Sequence, residues 1–370
     1  MNSGQAGFRK EVNRQNVYIF LSAIVFLMSL YSFLKMQKEI LKTSLSVLLW
    51  LISFWVMIVN LVVAYDSWVS IVHFSLAVWW IVSYYFFYIY ISRNPSSENY
   101  IKFLFVVMFL FYVWANLFTR QNILASVNVE FAITGYSYYL IVFVPILLLL
   151  RTSWLRTALV FVASIMIITS YKRGPIVILP LMLLVHQFSL TFLNRKWLSF
   201  IVKSVFICAF IAGIFAYVDE ESDSFLSDRF SEEELEYGSG RNELREQSME
   251  SITERSFPEL FVGTGSGSSI HFLGTGAHNE WIEFLFSFGI IGVILFGLFC
   301  MLIIKRYFAL LRARSRYASV YGMAAIFVLM VSVFSGFYFT HSSFYCFAFL
   351  GFAEALIAQE RSKQKPAEDI

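Results

Sequence analysis

The sequence predicts an all-α polytopic membrane protein, and three observations lead to that class. Hydrophobic residues make up 58% of the chain and charged residues only 14%, unlike the balance in soluble globular proteins. Apolar runs of about 20 residues recur along the chain, which is the length that a helix needs to cross a bilayer. A helix also satisfies its own backbone hydrogen bonds, as a segment in hydrocarbon must.

Eleven runs qualify as crossings, and they define the predicted domains. About eight helices fall in residues 1–218, a large loop in 219–277, about three helices in 278–358 and a tail in 359–370. We expect the first run to stay in the membrane, because Lys35 and Lys38 follow it where a signal peptide would have a cleavage site. The runs lie at 17–34, 45–64, 69–91, 101–118, 131–150, 154–170, 175–193, 198–218, 280–304, 318–339 and 342–358.

Basic residues in short loops predict the orientation, since cytoplasmic loops are enriched in Lys and Arg. The link between the ninth and tenth runs carries the most basic residues, so we expect it to be cytoplasmic, together with the C-terminal tail. The large loop then lies on the extracytoplasmic side. Eleven crossings then put the N-terminus outside, although Arg9, Lys10 and Arg14 favour the inside. This conflict predicts a hidden twelfth crossing or a re-entrant piece, expected within 119–150, or else a first helix that departs from the rule. A hidden crossing is the preferred interpretation. The link contains Lys305, Arg306, Arg312, Arg314 and Arg316.

Acidic and basic residues are concentrated on opposite predicted sides of the membrane. The loop from Asp219 to Ala277 carries 14 of the 25 acidic residues, four arginines and no lysine. The basic opposite side suits anionic membrane lipid, and no nucleic-acid-binding motif is present. The sequence also has no Walker loop, dinucleotide fingerprint or paired metal-binding acids, so we expect neither cofactor nor metal. Cys208, Cys300 and Cys346 lie in apolar runs and are expected to act as small hydrophobic residues.

Two groups of cations stand out on the acidic side. Arg241 and Arg245 are four residues apart in a predicted surface helix, so they share a face and could grip a phosphate bidentately. The alternative is a solvated helix in which they pair with Glu246 and Glu250. Lys172 and Arg173 lie between the sixth and seventh runs, where cations are unexpected; they either bind a partner or extend to lipid headgroups.

The third candidate is the pair His278-Asn279 at the start of the ninth run. An imidazole can accept a proton near neutral pH, although a lone interfacial histidine more often serves in packing or capping. A glycine-rich stretch containing Gly265 precedes the pair, and such backbone can approach a ligand closely and offer amide donors to an anion.

These residues carry a resemblance to a known family in three places, in the same order. The segments Arg173-Gly174, Gly240-Arg241 with the run PELFVGTG, and AHNEWIE leading into FGIIG are similar to motifs of the O-antigen ligase and O-antigen polymerase family of bacterial membrane glycosyltransferases. The resemblance covers roughly residues 160–300. Val262 stands where that family often has a glycine, and this chain is shorter than many members.

The resemblance implies a C-type glycosyltransferase fold in the bacterial plasma membrane. It implies a donor glycan on undecaprenyl pyrophosphate and an acceptor sugar hydroxyl on a second lipid-linked unit or on lipid A core. Arg173 and Arg241 would stabilise the pyrophosphate, and His278 would accept or orient the acceptor proton. Secondary contacts would come from Lys172, Arg245, Gly265 and Asn279, the last as a cap or sugar ligand.

A polymerase of O-antigen, capsule or exopolysaccharide is the preferred function. A ligase that transfers the glycan to lipid A core is the alternative within the family. A glycan flippase or other transporter is the alternative outside it, although transporters usually hold charges near the bilayer midplane. A non-catalytic scaffold is a third possibility, which the placement of the arginines disfavours. A chain-length regulator and a flippase are further expected partners.

Overall fold

The computed structural model describes residues 43–63, 67–127, 133, 135–231, 241–338 and 340–364. These residues are predominantly helical, with no strand among them, which confirms the predicted all-α class. The first predicted crossing, at 17–34, and the end of the predicted tail lie outside the described residues.

Fourteen helices follow one another through the described residues, with a short 3-10 turn at Pro95–Ser97 between the second and third. They are α1 (Ser44–Val62), α2 (Ser67–Arg93), α3 (Glu98–Val127), α4 (Ser137–Leu147), α5 (Ser153–Ile168), α6 (Arg173–Asn194), α7 (Trp197–Glu221), α8 (Phe225–Asp228), α9 (Arg241–Thr253), α10 (Phe257–Val262), α11 (Ser268–Leu273), α12 (Glu280–Arg312), α13 (Ala318–Phe334) and α14 (His341–Gln364).

Ten of the predicted crossings coincide with α1–α7 and α12–α14. Seven of these helices are long and apolar enough to cross a membrane, which makes the chain a helical polytopic membrane protein. The other three, α4, α5 and α13, have 11, 16 and 17 residues. At about 1.5 Å per residue they are shorter than the roughly 30 Å hydrocarbon core.

The twelfth crossing expected within 119–150 does not fit there. Helix α3 continues to Val127 and α4 begins at Ser137, so the stretch between them is far shorter than a crossing requires. Hydropathy placed the end of the fourth run at residue 118, because Arg120, Gln121 and Asn122 interrupt the apolar pattern although the helix goes on.

The two ends of the helix bundle differ. We call the end that carries α8–α11 the loop end; α6 and α12 begin there and α13 ends there. The opposite end holds the start of α1 and the end of α12. Large apolar side chains are exposed along the bundle between the two ends, including Phe206 on α7 and Phe103 on α3. Such a surface is expected where lipid, not water, surrounds the helices.

Among the described helices, α2 and α14 pack over the largest area, and aromatic residues fill the core beside them. The Trp80 ring stacks on Phe347 at 4.5 Å between centroids, and its indole N–H donates to the Ser343 hydroxyl at 2.7 Å. A Cβ at Gly351 would overlap the carbonyl group of Tyr84. Small residues at such contacts allow helix backbones to approach closely in a membrane protein.

Helix α12 is broken at Gly289, whose φ of 65° and ψ of −168° are not helical. The break frees the carbonyl oxygens of three preceding residues, which need partners because they lie inside the protein. The Phe286 oxygen accepts from the Thr264 amide at 3.1 Å, Ser287 accepts from Gly265 at 2.9 Å, and Phe288 accepts from the Trp55 indole at 2.9 Å. The glycine-rich stretch therefore caps a short half-helix, Glu280 to Phe288.

Candidate functional site

Arg173 is the first residue of α6, at the loop end of the bundle. Lys172 is the N-cap with extended backbone, and Pro175 occupies the first turn, where its missing N–H costs no hydrogen bond. The Arg173 guanidinium donates from Nη1 to the backbone carbonyl of Arg229 at 3.1 Å. The Arg173 side chain thus reaches the backbone of Arg229, although the two are 56 positions apart in the chain.

The chain around α8 folds back to place Arg229. The Asp219 carboxylate, near the end of α7, accepts from the Ser227 amide at 2.7 Å. Phe225 meets the Tyr171 ring edge-on, with the centroids 5.3 Å apart. The Nε of Arg229 is buried and makes no hydrogen bond within the described residues. A buried guanidinium nitrogen without an acceptor is costly, and a bound anion would satisfy it.

Arg120 on α3 adds a third guanidinium to this region. Its Cζ lies 5.6 Å from the centroid of the Tyr171 ring. Tyr171 itself has a left-handed backbone, with φ of 54°, and is buried. We call Arg120, Lys172, Arg173 and Arg229 the basic cluster. Within the described residues, no salt bridge neutralises Arg120 or Arg229.

His278 and Asn279 occupy the turn that leads into α12. His278 is exposed and has φ of 49°, a left-handed conformation. Asn279 is the N-cap: its Oδ1 accepts from the amides of Trp281 and Ile282 at 3.0 and 3.2 Å, and its Nδ2 donates to the Val333 carbonyl at 3.4 Å. Asn279 therefore caps α12, and its role as a sugar ligand stays a prediction.

Two glutamates, the buried Glu280 and the partly buried Glu283, fix the position of this turn. The Glu280 carboxylate accepts from the amides of Phe337 and Tyr338 at 2.5 and 3.0 Å. The Glu283 carboxylate accepts from the Ser269 hydroxyl at 2.7 Å and from the Ala277 amide at 3.3 Å. These hydrogen bonds join the turn that carries the exposed His278 to α11 and to the segment between α13 and α14.

The end of α13 connects the two predicted sites. Asn279 bonds to Val333 there, and Gly174 faces the neighbouring Phe334 so closely that an added Cβ would lie 3.2 Å from the Phe334 Cβ. An added Cβ at Gly174 would also overlap the Tyr138 hydroxyl. The Arg173-Gly174 and His278-Asn279 motifs therefore meet adjacent residues of a single helix end.

Gly265 has a different role from the one predicted. Its φ of 88° requires glycine, but it is buried and its amide donates to Ser287. The following amide, of Ser266, donates to the Asn60 Oδ1 at 2.9 Å. The amides of this stretch are thus used within the fold rather than held open for an anion.

The remaining loop arginines are distributed apart from the basic cluster. The helix predicted from Arg241 is present as α9, but the side chain of Arg241 lies outside what the structure describes. Arg245 is exposed, whereas Ser248 and Ile252, further along the same side of α9, are buried. No described hydrogen bond or salt bridge joins Arg245 to Arg173, Glu246 or Glu250.

Arg255 secures the loop on α12. Its Cζ lies 4.2 Å from the Phe286 ring centroid and 4.8 Å from that of Phe272, and Nη1 donates to the Phe286 carbonyl at 3.1 Å. Sequence reasoning missed this role, and it missed Arg229 and Arg120 as members of the basic cluster. Two cues were available: Arg229 is a cation in an acidic loop, and Arg120 interrupts an apolar run.

No family model matches this chain, and no curated protein matches it.

Proposed function

We propose that this protein is a membrane glycosyltransferase that polymerises oligosaccharide repeat units linked to undecaprenyl pyrophosphate. It would act on the outer face of the bacterial plasma membrane and build O-antigen, capsular polysaccharide or exopolysaccharide. The observation that carries the proposal is the meeting of the Arg173 and His278 motifs at the end of α13, with Arg229 beside Arg173. Cations for a leaving group and a proton acceptor for a nucleophile are the two requirements of such a transfer.

The basic cluster would act on the donor. When the anomeric carbon–oxygen bond breaks, its electron pair goes to the pyrophosphate oxygen and negative charge develops there. Preorganised guanidinium groups stabilise such charge more effectively than water does. Arg173 and Arg229 would bind the pyrophosphate directly, and Lys172 and Arg120 would add to the local potential.

His278 would act on the acceptor. The acceptor hydroxyl oxygen attacks the anomeric carbon, and the imidazole takes up the proton that this oxygen loses. Its exposure leaves it accessible to a large glycan, while the buried Glu280 and the partly buried Glu283 fix the turn that carries it. Arg241 and Arg245, on the loop above, would be further contacts to the phosphate or the glycan.

The lipid-linked glycan profile of a strain with and without the gene tests this function. Loss of a polymerase leaves a single repeat unit on the lipid, whereas loss of a ligase leaves long chains on undecaprenyl pyrophosphate. Reconstitution with a labelled lipid-linked repeat unit provides the complementary test, because a transporter moves the unit without lengthening it. An unchanged profile together with no elongation would refute the proposal.

A further inference from the structure

A second charged region lies at the opposite end of the bundle, away from the proposed active site. A cavity of about 520 Å³ opens there among α1, α2, α12, α13 and α14, within the roughly 300–1,000 Å³ range of ligand sites. Lys305, on its wall, is about 24 Å along α12 from the break at Gly289, taking ~1.5 Å per residue. The cavity and the His278 turn therefore belong to different membrane surfaces.

The charges that line the cavity are mainly positive. Lys305, Arg306 and Arg361 face a single acid, Glu354. Arg306 is already paired with it, donating from Nε and Nη2 at 2.7 and 2.6 Å, and the Tyr321 hydroxyl donates to the same carboxylate at 2.5 Å. Lys305 and Arg361 are exposed, and neither forms a salt bridge within the described part of the chain. The cavity thus has a surplus of two positive charges.

The N-terminus of α1 supplies further donors. Ser44 and Leu45 line the cavity, and their amides belong to the first turn, where no helix carbonyl is available to accept from them. The 19 aligned peptide dipoles of α1 add partial positive charge at the same place. Amide donors, a helix N-terminus and unpaired cations together form an environment suited to phosphate.

The rest of the lining is apolar. Leu302 and Ala309 of α12 face Ile357 and Ala358 of α14 across the cavity. A free phosphate ion gains nothing from these side chains, whereas a lipid places its glycerol and first methylene groups beside them. Basic pockets between membrane helices are a known type of site for anionic headgroups.

We propose that this cavity binds the phosphate headgroup of an anionic phospholipid, in the leaflet opposite the candidate active site. Lys305 and Arg361 would bind the phosphate, and the Arg306–Glu354–Tyr321 network would form the fixed wall behind it. The occupant would hold α1, α12 and α14 together, because it contacts all three helices at once.

Native mass spectrometry of the full-length protein in detergent tests the proposal, with phosphatidylglycerol and phosphatidylcholine offered at equal concentration. We expect selective retention of phosphatidylglycerol. The double variant Lys305→Gln/Arg361→Gln should bind it more weakly, by about fivefold for each cation removed. The matched control is Arg312→Gln/Arg314→Gln, which removes two exposed cations at the same end that do not line the cavity, and it should retain the lipid.

A second variant tests the cavity without changing charge. Ala358→Trp fills the space from an exposed position and should abolish retention while the thermal unfolding temperature stays within a few degrees of the parent. Equal retention of both lipids, or equal loss in the two double variants, would overturn the proposal. Displacement of the lipid by an equimolar concentration of inorganic phosphate would overturn it as well, in favour of a site for the free ion.

Discussion

The arginines of the basic cluster differ in their hydrogen-bond partners, and this difference predicts how substitutions of them change activity. Arg173 reaches the Arg229 carbonyl, while the buried Nε of Arg229 has no described partner. Lysine keeps the charge but lacks the planar donors that bind phosphate bidentately. We expect Arg173→Lys and Arg229→Lys each to reduce polymer synthesis about 100-fold.

The exposed Arg312→Lys is the matched control for this prediction and should change synthesis only slightly, since that side chain lies at the opposite end of the bundle from the cluster. Glycan elongation from a purified lipid-linked repeat unit measures all three variants. Near-normal elongation by Arg173→Lys and Arg229→Lys would contradict a bidentate role.

Substitutions of His278 and of its neighbour Asn279 should affect different properties of the protein, activity in the first case and stability in the second. Asn279→Ala removes an N-cap with two accepted amide bonds, so the free energy of unfolding should fall by about 1 kcal/mol. His278→Asn preserves a residue type that tolerates the left-handed φ of 49°. We expect it to leave thermal unfolding unchanged and to lower elongation by about 100-fold.

Elongation and thermal unfolding must both be measured for these two variants. A loss of elongation in His278→Asn together with a large drop in unfolding temperature would assign His278 a structural role. Full elongation in that variant would remove the proton-acceptor proposal altogether.

At the level of secondary-structure elements, the broken helix α12 depends on the contact between two glycines. A Cβ at Gly289 would lie 2.6 Å from the amide nitrogen of Gly263, and the positive φ disfavours any other residue. We expect Gly289→Ala to lower the free energy of unfolding by about 2–5 kcal/mol. Gly297→Ala on the same helix is the control, because its Cβ would meet only Trp281, at 3.8 Å.

Thermal unfolding in detergent compares these two variants. Equal unfolding temperatures would show that the break is not needed for stability. A destabilised Gly289→Ala would establish why the segment FVGTG contains glycine at 263 and 265: the two positions supply the close approach that satisfies the carbonyls of the half-helix.

The short helix α10 should respond to pH. Its capping box holds the pKa of Glu259 below the usual value of 4.5, because the carboxylate accepts from the Ser256 hydroxyl at 2.7 Å and from the Ser256 amide at 3.0 Å. A lowered folded pKa means that the stabilisation is complete above pH 4.5 and is lost as the pH falls through the folded value. Amide exchange in residues 257–262 should therefore increase, after correction for its intrinsic pH dependence, only in that acidic range.

Glu259→Gln should exchange faster at neutral pH and lose this pH dependence. Glu254→Gln, a neighbouring exposed acid, serves as the control and should behave like the parent protein. Identical pH profiles for Glu259→Gln and the parent would exclude the capping box as the cause.

Hydropathy predicted the helices well but not the way that they are broken and joined. The apolar runs coincide with α1–α7 and α12–α14 because burial and backbone satisfaction in lipid act on each helix separately. The break at Gly289 was not predicted, since it lies in the apolar stretch FGIIG and depends on a partner glycine 26 residues earlier. Gly265 was assigned to a ligand for the same reason: its real partner, the Ser287 carbonyl, becomes available only through that break.

The candidate site was likewise predicted only in part from the sequence. The sequence identified Arg173 and the His278-Asn279 pair, whose motifs are local, and the fold brings both to the end of α13. It missed Arg229 because that residue reaches Arg173 only when α8 folds back over the end of α7. The pairing of Arg173 with Arg241 stays a prediction.

For the whole molecule, the proposed chemistry requires the loop end to face outward. Cysteine labelling tests this, since the chain offers exposed positions at both ends: Glu246 on α9 and Ala313 after α12. Cys300 and Cys346 are buried, so a Cys208→Ser background removes the one exposed thiol. In intact spheroplasts, a membrane-impermeant maleimide should label Glu246→Cys, and Ala313→Cys should react only after permeabilisation.

The basic link around Arg312 and Arg314 is the physical reason for that expectation, because cations in short loops are retained on the cytoplasmic side. The reverse labelling pattern would place the His278 turn in the cytoplasm, where lipid-linked units are not yet exposed to an extracytoplasmic polymerase. It would also move the cavity beside Lys305 to the outer leaflet, so this one experiment constrains both proposed sites through the orientation of the bundle.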